Sequence, residues 1–210
     1  MNRNENNTLD DILSAAKAEF SEKGFQSASL RRIVKNAGVT TGAFYGYFKS
    51  KEELFDALVG EQYDMLMGMF CETQNAFTRL SPKEQAQQMD ELSGEGMKKM
   101  MDYCYANKDE FKLILCSSDG TKYENIIHDM AEIEVDATHK FAKTMEQLGY
   151  TKYNVDKTLE HILASGLFSA FFEVIIHDIP HENAAEYLEE LKAFYTAGWK
   201  KLWDFNPYIF

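Results

Sequence analysis

The sequence predicts an all-α protein. Only three prolines occur in 210 residues, and runs that alternate apolar and polar residues are scarce, so strands are disfavoured. Apolar residues recur instead at helical spacing between capping residues and glycines, which places about nine helices along the chain. Hydrophobic residues make up 45% of the chain, so an ordered core is expected rather than a disordered chain.

The first helix is predicted from Thr8 to Lys23, and Gly24 should end it. Thr8 can cap its first turn, where two aspartates complement the positive end of the helix dipole. Its apolar stripe consists of Ile12, Leu13, Ala16 and Phe20.

Two short helices joined by a tight turn follow between Ser29 and Lys51. Ser29 should cap the first helix and Thr40 the second, with Gly38 in a left-handed conformation between them. The apolar faces that can pack together are Ile33, Val34, Ala37, Ala43, Phe44 and Phe48. This is the pattern of a helix-turn-helix, whose second helix can lie in a DNA major groove.

The next three helices have less regular boundaries. A capping box of Ser50 and Glu53 opens the fourth helix, which should run to about Thr73. Ser81 should cap a fifth, which we expect to break or kink at the glycines of residues 93–96. Asp109 should cap a short sixth helix.

Three long helices are predicted to complete the chain. Thr121 and Glu124 should open one that Gly149 closes, and the last two should cover Asp156–His177 and about Glu182–Trp203.

The formal net charge of −12 is distributed unevenly. Residues 1–51 hold eight basic and five acidic residues, a net charge of about +3, which leaves about −15 for the rest. A basic head can approach phosphates while an acidic body is repelled by the duplex, although acidic helix faces also simply aid solubility.

The string GVTTGAFYGYFKSKEEL, residues 38–54, resembles the DNA-binding signature of TetR/AcrR-type regulators. The resemblance covers about a quarter of the chain, from Thr8 to Phe55. Thr41 and Gly46 replace a lysine and a larger polar residue that many members carry. The resemblance implies a three-helix DNA-binding domain at 1–51, with the helix from residue 50 as a link. Residues 52–210 would form a six-helix domain for effector binding and dimerisation.

The expected DNA contacts follow from this resemblance and from side-chain chemistry. Thr41 and Ala43 can meet base edges, Gly42 permits close approach, and tyrosine hydroxyls can bind phosphate. The candidate set is Arg31, Thr40, Thr41, Gly42, Ala43, Tyr45, Tyr47 and Lys51.

The last two helices are expected to form a homodimer interface. The helix Asp156–His177 is apolar on two sides, so one side can face its own body and the other a partner. A central position in a monomer would explain the same pattern. The candidate interface residues are Ser165, Phe168, Ser169, Phe172, Tyr187, Leu191, Phe194 and Tyr195.

The resemblance implies a cavity in the body for a small, largely apolar effector. Glu134 lies within an apolar stripe, where it could meet a cationic ligand, pair internally or sit in water. The candidate cavity residues are Met65, Met69, Met100, Met101, Cys104, Phe111, Ile127, Met130 and Glu134, for most of which plain core packing is the simpler role.

Other chemistries find little support in the sequence. Five histidines lack tight metal-ligand spacing, and no nucleophile motif, phosphate loop or carboxylate pair stands out, so we expect neither an enzyme nor a metal or other cofactor. Three cysteines without paired spacing and a polar N-terminus fit a cytoplasmic protein, and no apolar run approaches the length of a membrane span.

The expected function is therefore that of a ligand-responsive transcription regulator, a repressor that a small-molecule effector releases from a palindromic operator. An apolar-ligand carrier and a DNA-organising protein without effector control are the alternatives.

Overall fold

The computed structural model describes residues 3–149 and 155–202, and the side chains of residues 3–6, 86, 89 and 90 are not described. Within these ranges the chain forms nine α-helices and no strand. They are α1 (Arg3–Ser27), α2 (Leu30–Asn36), α3 (Thr41–Tyr47), α4 (Lys51–Thr78), α5 (Pro82–Ala106), α6 (Lys108–Ser117), α7 (Ile126–Gln147), α8 (Lys157–Ile176) and α9 (His181–Leu202). The predicted all-α fold class is confirmed.

The helices belong to two compact units. Unit 1 comprises residues 1–65 and 107–125, and unit 2 comprises residues 66–106 and 126–210. Unit 1 is larger than the predicted head, because α6 and the turn that follows it pack with the N-terminal helices.

The core of unit 1 is aromatic. Gly24, at a φ of 71°, interrupts α1 where the sequence predicted its end. The chain then turns Phe25 inward, and the rings of Phe20, Phe25 and Phe55 meet with centroids 5.1–5.8 Å apart. These rings hold the start of α4 against α1.

The glycines of α5 do not break the helix, contrary to prediction. Gly94 and Gly96 are helical and buried within Pro82–Ala106. A Cβ on Gly96 would lie only 2.6 Å from Cγ2 of Thr73, so the absence of a side chain lets α5 approach α4 closely.

Two predicted helix starts are also wrong. Asn107, not Asp109, is the N-cap of α6, and Asp109 instead pairs with Lys17 at 2.9 Å. α7 begins at Ile126 because Thr121 uses its hydroxyl in a turn, donating to the carbonyl of Ser118 at 2.7 Å. Tyr123 therefore packs in unit 1, with its ring centroid 5.0 Å from that of Tyr63.

The last two helices match their predicted ranges closely. Asp156 caps α8 by accepting from the Thr158 amide at 2.9 Å. The predicted end of α9 at Trp203 lies outside the described residues. Among those residues, α8 is the one helix long and apolar enough to cross a membrane. The sequence-based expectation that no apolar run approaches this length was therefore wrong. The core helix of a globular protein passes the same test, and seven residues of α8 are buried.

Candidate nucleic-acid interface and ligand cavity

The second helix of the helix-turn-helix is anchored by its own apolar face. Phe44 is 1% exposed and Phe48 is buried beside it, above a fully buried Ile33 of α2. Thr40 caps α3 by accepting from the Ala43 amide at 3.1 Å, and Gly38 makes the preceding turn at a φ of 67°. Ser29 caps α2 by accepting from the Arg32 amide at 3.4 Å. The predicted caps and turn are thus confirmed.

The opposite face of this helix pair is open to solvent. Tyr45 is 55% exposed, with its ring set edge-on against Phe44 at 5.4 Å, and Tyr47 is half-buried. The other exposed members of the predicted set are Arg31, Thr40, Thr41, Gly42 and Ala43. The structure therefore gathers seven of the eight predicted residues around α3 and the start of α2.

Lys51 is the exception, and its side chain is not available for phosphate. Its Nζ donates to the carbonyls of Phe25, Gln26 and Ala28 at 2.7, 3.1 and 3.3 Å. The same ammonium lies 4.5 Å from the centroid of the Phe25 ring. Because the end of a helix leaves carbonyls without intrahelical donors, Lys51 acts as a clamp on the end of α1.

A buried carboxylate that the sequence reading missed orients the helix-turn-helix. Glu19 is buried on α1, where it accepts from the Ser29 amide at 3.1 Å and pairs with Arg32 Nε at 3.2 Å. Arg32 is thereby held against α1. The signal was present in the sequence, because Glu19 falls in register with Ile12 and Ala16 on the buried stripe.

Unit 2 contains a cavity of about 160 Å³ lined mainly by apolar side chains. Its walls come from α4, α5, α7, α8 and α9. The apolar lining includes Phe70, Phe77, Leu92, Met97, Met100, Ala137, Phe141, Leu167, Phe168 and Trp199. A pocket of this kind, with a few polar groups, is typical of small-molecule sites.

The polar side chains that line the cavity include one acid and one base, Glu134 and Lys192. Gln74 donates to Oε2 of Glu134 at 2.6 Å. Burial raises the pKa of the Glu134 carboxyl, and the hydrogen bond from Gln74 opposes part of that rise. Lys192 and Tyr195 line the wall formed by α9, and Gly94 leaves the room that the Lys192 side chain occupies.

Residues 12–58 match the model of the family described as bacterial regulatory proteins, tetR family. The head is a TetR-family domain.

Two bacterial transcription regulators are similar in sequence to this chain over a segment of comparable length. The regulator UidR of Escherichia coli K12 is 39% identical over 61 residues, which cover 29% of this chain and 31% of UidR. The repressor KstR2 of Mycolicibacterium smegmatis is 31% identical over 61 residues, covering 29% of this chain and 30% of KstR2. The chain thus matches less than a third of the length of these relatives.

Solved structures resemble most of the chain in fold. A tetR-family regulatory protein from Rhodococcus RHA1 aligns with a TM-score of 0.56 and 16% identity, covering 92% of this chain and 97% of that one. A TetR-family member from Streptomyces coelicolor A3 aligns with a TM-score of 0.55 and 19% identity, covering 88% of each chain. At this identity the likeness extends to the fold alone.

Most predicted cavity residues do not line this cavity of unit 2. Only Met100 and Glu134 of the nine line it, and Glu134 has Gln74 as an internal partner. The predictions failed for one reason: an apolar stripe indicates that a residue is buried, but it does not distinguish a cavity wall from a packed core. Met65 is exposed, Phe111 packs in unit 1, Met101 lines a second cavity, and Met69, Cys104, Ile127 and Met130 line neither cavity.

Two residues predicted to lie in the dimer interface are instead buried within the single chain. Phe168 and Phe172 are buried in their own chain, where their rings contact those of Phe70 and Phe171. α8 is apolar on both sides, and its phenylalanines lie on the side that faces the interior. The remaining candidates are more accessible: Tyr187 and Phe194 are exposed, and Ser165, Ser169, Leu191 and Tyr195 are half-buried.

Three side chains that the sequence reading left apart come together on α7 and α8. The metal-ligating atoms of His128, Glu132 and His161 all lie within 4.8 Å of one another. His128 and Glu132 are one helical turn apart, and this spacing of four residues was the signal of the cluster in the sequence.

Proposed function

We propose that this protein is a dimeric transcription regulator that binds a roughly palindromic operator and is released by a small molecule held in unit 2. The observation that carries the proposal is the exposed face of α3, fixed by Phe44 and Phe48, in a segment that matches the tetR family model. The repressor KstR2 among the relatives favours repression over activation. The protein would act in the cytoplasm, where its operator is.

The exposed residues suit distinct contacts with DNA. The Thr41 methyl and Ala43 can meet a thymine methyl in the major groove, and the Thr41 hydroxyl can reach a base edge. Gly42 adds no bulk between the start of α3 and the duplex. Arg31 and the two tyrosine hydroxyls can bind phosphates, which fix the register of the helix without reading sequence.

A second copy of the chain would cover the outer face of α8 and α9. Five apolar side chains of these helices are exposed in the single chain: Leu159, Ile162 (59%), Tyr187, Phe194 (73%) and Leu202. Burial of such side chains against the same surface of a partner gives a twofold dimer. Two heads related by a twofold axis would read half-sites roughly 34–36 Å apart.

The effector is a largely apolar molecule with one polar end. The aromatic and aliphatic walls of the cavity match an apolar body, and Glu134 supplies an acceptor for one hydrogen-bond donor. Binding would lower operator affinity, and by linkage the operator would lower effector affinity by the same factor, roughly 5–150-fold.

Selection of bound sequences from random DNA by the purified full chain tests DNA recognition. With three to four phosphate contacts per head, log K should fall with log salt at a slope of about −5 to −7. A carrier protein would show no such slope. A DNA-organising protein would show the slope without sequence discrimination, and either result would refute the proposal.

Arg31→Ala tests the assigned face directly. The variant should weaken binding to all sequences, because a phosphate contact carries no sequence information, and it should reduce the salt slope of the dimer by about 2, one contact for each head. Arg79→Ala is the matched control, since Arg79 is an exposed arginine of unit 2 that pairs with Glu72 at 3.2 Å. Equal effects of the two substitutions would contradict the assignment.

Ala137→Phe tests the cavity separately from the head. Ala137 lines the cavity, so the larger ring should fill it and abolish the response to an effector while operator binding persists. Phenylalkyl amines and alcohols are suitable probes, and quenching of Trp199 in the cavity wall would report their binding. A probe that binds tightly in the wild-type cavity and leaves operator affinity unchanged would refute the coupling but not DNA binding.

A further inference from the structure

The cluster of His128, Glu132 and His161 joins two helices of unit 2. His128 and Glu132 lie one turn apart on α7, and His161 lies on α8. Their ligating atoms, one from each side chain, fall within 4.8 Å of one another. A tetrahedral ion with bonds of about 2.0–2.1 Å needs its ligands a little more than 3 Å apart, so small rotations of the side chains suffice.

His161 lies close to Glu132 but forms no hydrogen bond with it. Nδ1 of His161 lies 2.9 Å from Oε1 of Glu132, yet this buried nitrogen makes no aligned hydrogen bond. The other ring nitrogen, Nε2, lies 3.4 Å from the hydroxyl of Ser165. When Nε2 carries the proton and donates to Ser165, Nδ1 turns a lone pair towards a carboxylate oxygen. A cation between the two atoms converts this repulsion into attraction.

His128 completes the set from the solvent side. Its ring meets that of His161 edge to face, with centroids 5.1 Å apart and an interplanar angle of 68°. His128 and Glu132 are exposed, so an ion can reach the cluster from water. Ser165 would act as the outer partner that fixes the orientation of a ligating histidine, a common feature of metal sites.

We infer that His128, Glu132 and His161 bind a divalent transition-metal ion of the zinc type, with water in the remaining position. Two imidazoles and one carboxylate suit zinc and its neighbours in the transition series. Magnesium and calcium prefer oxygen ligands alone and should not compete. The ion would tie α7 to α8. The inference is independent of the proposed DNA-binding function, and either can fail without the other.

Metal titration of the full chain, without a histidine tag and after removal of metals by a chelator, tests the site. Zinc should bind saturably at one ion per chain, and cobalt should give the visible absorption of a low-coordinate ion. At a hundredfold excess of zinc over its Kd, the Tm should rise by roughly 5–10 °C.

Two substitutions at exposed positions should remove this binding. His128→Ala and Glu132→Gln should each weaken zinc affinity by about 100-fold or more, because even loss of an outer partner costs about 10–100-fold. Both variants should keep the metal-free Tm, since neither side chain is buried.

His181→Ala is the matched control. His181 is an exposed histidine whose Nε2 lies 2.8 Å from Oδ1 of Asp102, and it belongs to no group of three donors among the described side chains. Zinc binding should be unchanged in this variant. The inference is overturned if zinc does not saturate at one ion per chain, if His128→Ala binds like the wild type, or if His181→Ala loses as much affinity.

Discussion

Replacement of Glu160 by glutamine should stabilise unit 2 at alkaline pH. Glu160 is 0% exposed on α8, and neither of its carboxylate oxygens has a hydrogen-bond partner. Nε2 of His139 on α7 lies 3.3 Å from Oε2. Burial raises the pKa of the Glu160 carboxyl from 4.5 to about 7. Ionisation of this group in the folded chain is therefore costly.

The sign and size of the effect follow from linkage. Between pH 4.5 and 7 the folded chain holds a proton that the unfolded chain has released, so the free energy of unfolding falls as pH rises through this window. At about 1.4 kcal/mol per pKa unit, the loss is roughly 3 kcal/mol by pH 8. Glu160→Gln cannot ionise, so it should exceed the wild type by roughly 2–3 kcal/mol at pH 8 and match it within about 1 kcal/mol at pH 5.

Urea unfolding followed by tryptophan emission measures this difference, because Trp199 lies on α9 in the cavity wall of unit 2. A chelator keeps metal binding out of the measurement. Glu186→Gln, at an exposed position on α9, should change nothing. Wild-type stability that rises from pH 5 to pH 8, or a Glu160→Gln variant that is less stable at pH 8, would refute the reasoning.

Three further predictions concern packing and reactivity. Lys51→Met should destabilise unit 1 by roughly 2 kcal/mol, because three carbonyls lose a charged donor, and amide exchange around residues 25–28 would report it. Gly96→Ala should cost about 1–3 kcal/mol in urea unfolding, and Thr73→Ala in the same chain should restore part of that loss. Cys116 is exposed, whereas Cys104 is fully buried and its pKa is raised by burial. A disulfide reagent at pH 8 should therefore modify Cys116 in the native protein and Cys104 only after denaturation, and Cys116→Ala should remove the fast phase.

Local signals in the sequence were sufficient to predict the caps, the turn and the buried face of the helix-turn-helix. The caps at Ser29 and Thr40, the left-handed Gly38 and the buried Phe44 each depend on neighbours within a few residues. Spacing along the chain therefore determines them. The same holds for the cap of α8 at Asp156.

Contacts between residues that are distant in the sequence could not be predicted from local spacing. The carbonyls that occupy Lys51 lie 23 or more residues before it, and the metal-type cluster joins residues from two helices. Gly96 looked like a helix breaker because the sequence does not show that Thr73 packs against it. Tyr123 falls within the helix predicted to open at Thr121, but it lies outside α7 and is buried against Phe55 of α4.

The membership of α6 in unit 1 bears on any attempt to transfer the helix-turn-helix to another protein. Lys17 of α1 forms ion pairs with Asp109 and Glu110 at 2.9 Å, and Tyr123 donates a hydrogen bond to Asp56. A graft that transfers residues 1–65 alone would carry half of each of these contacts into a foreign protein. A working chimera must also transplant residues 107–125, or redesign the surface that receives α1.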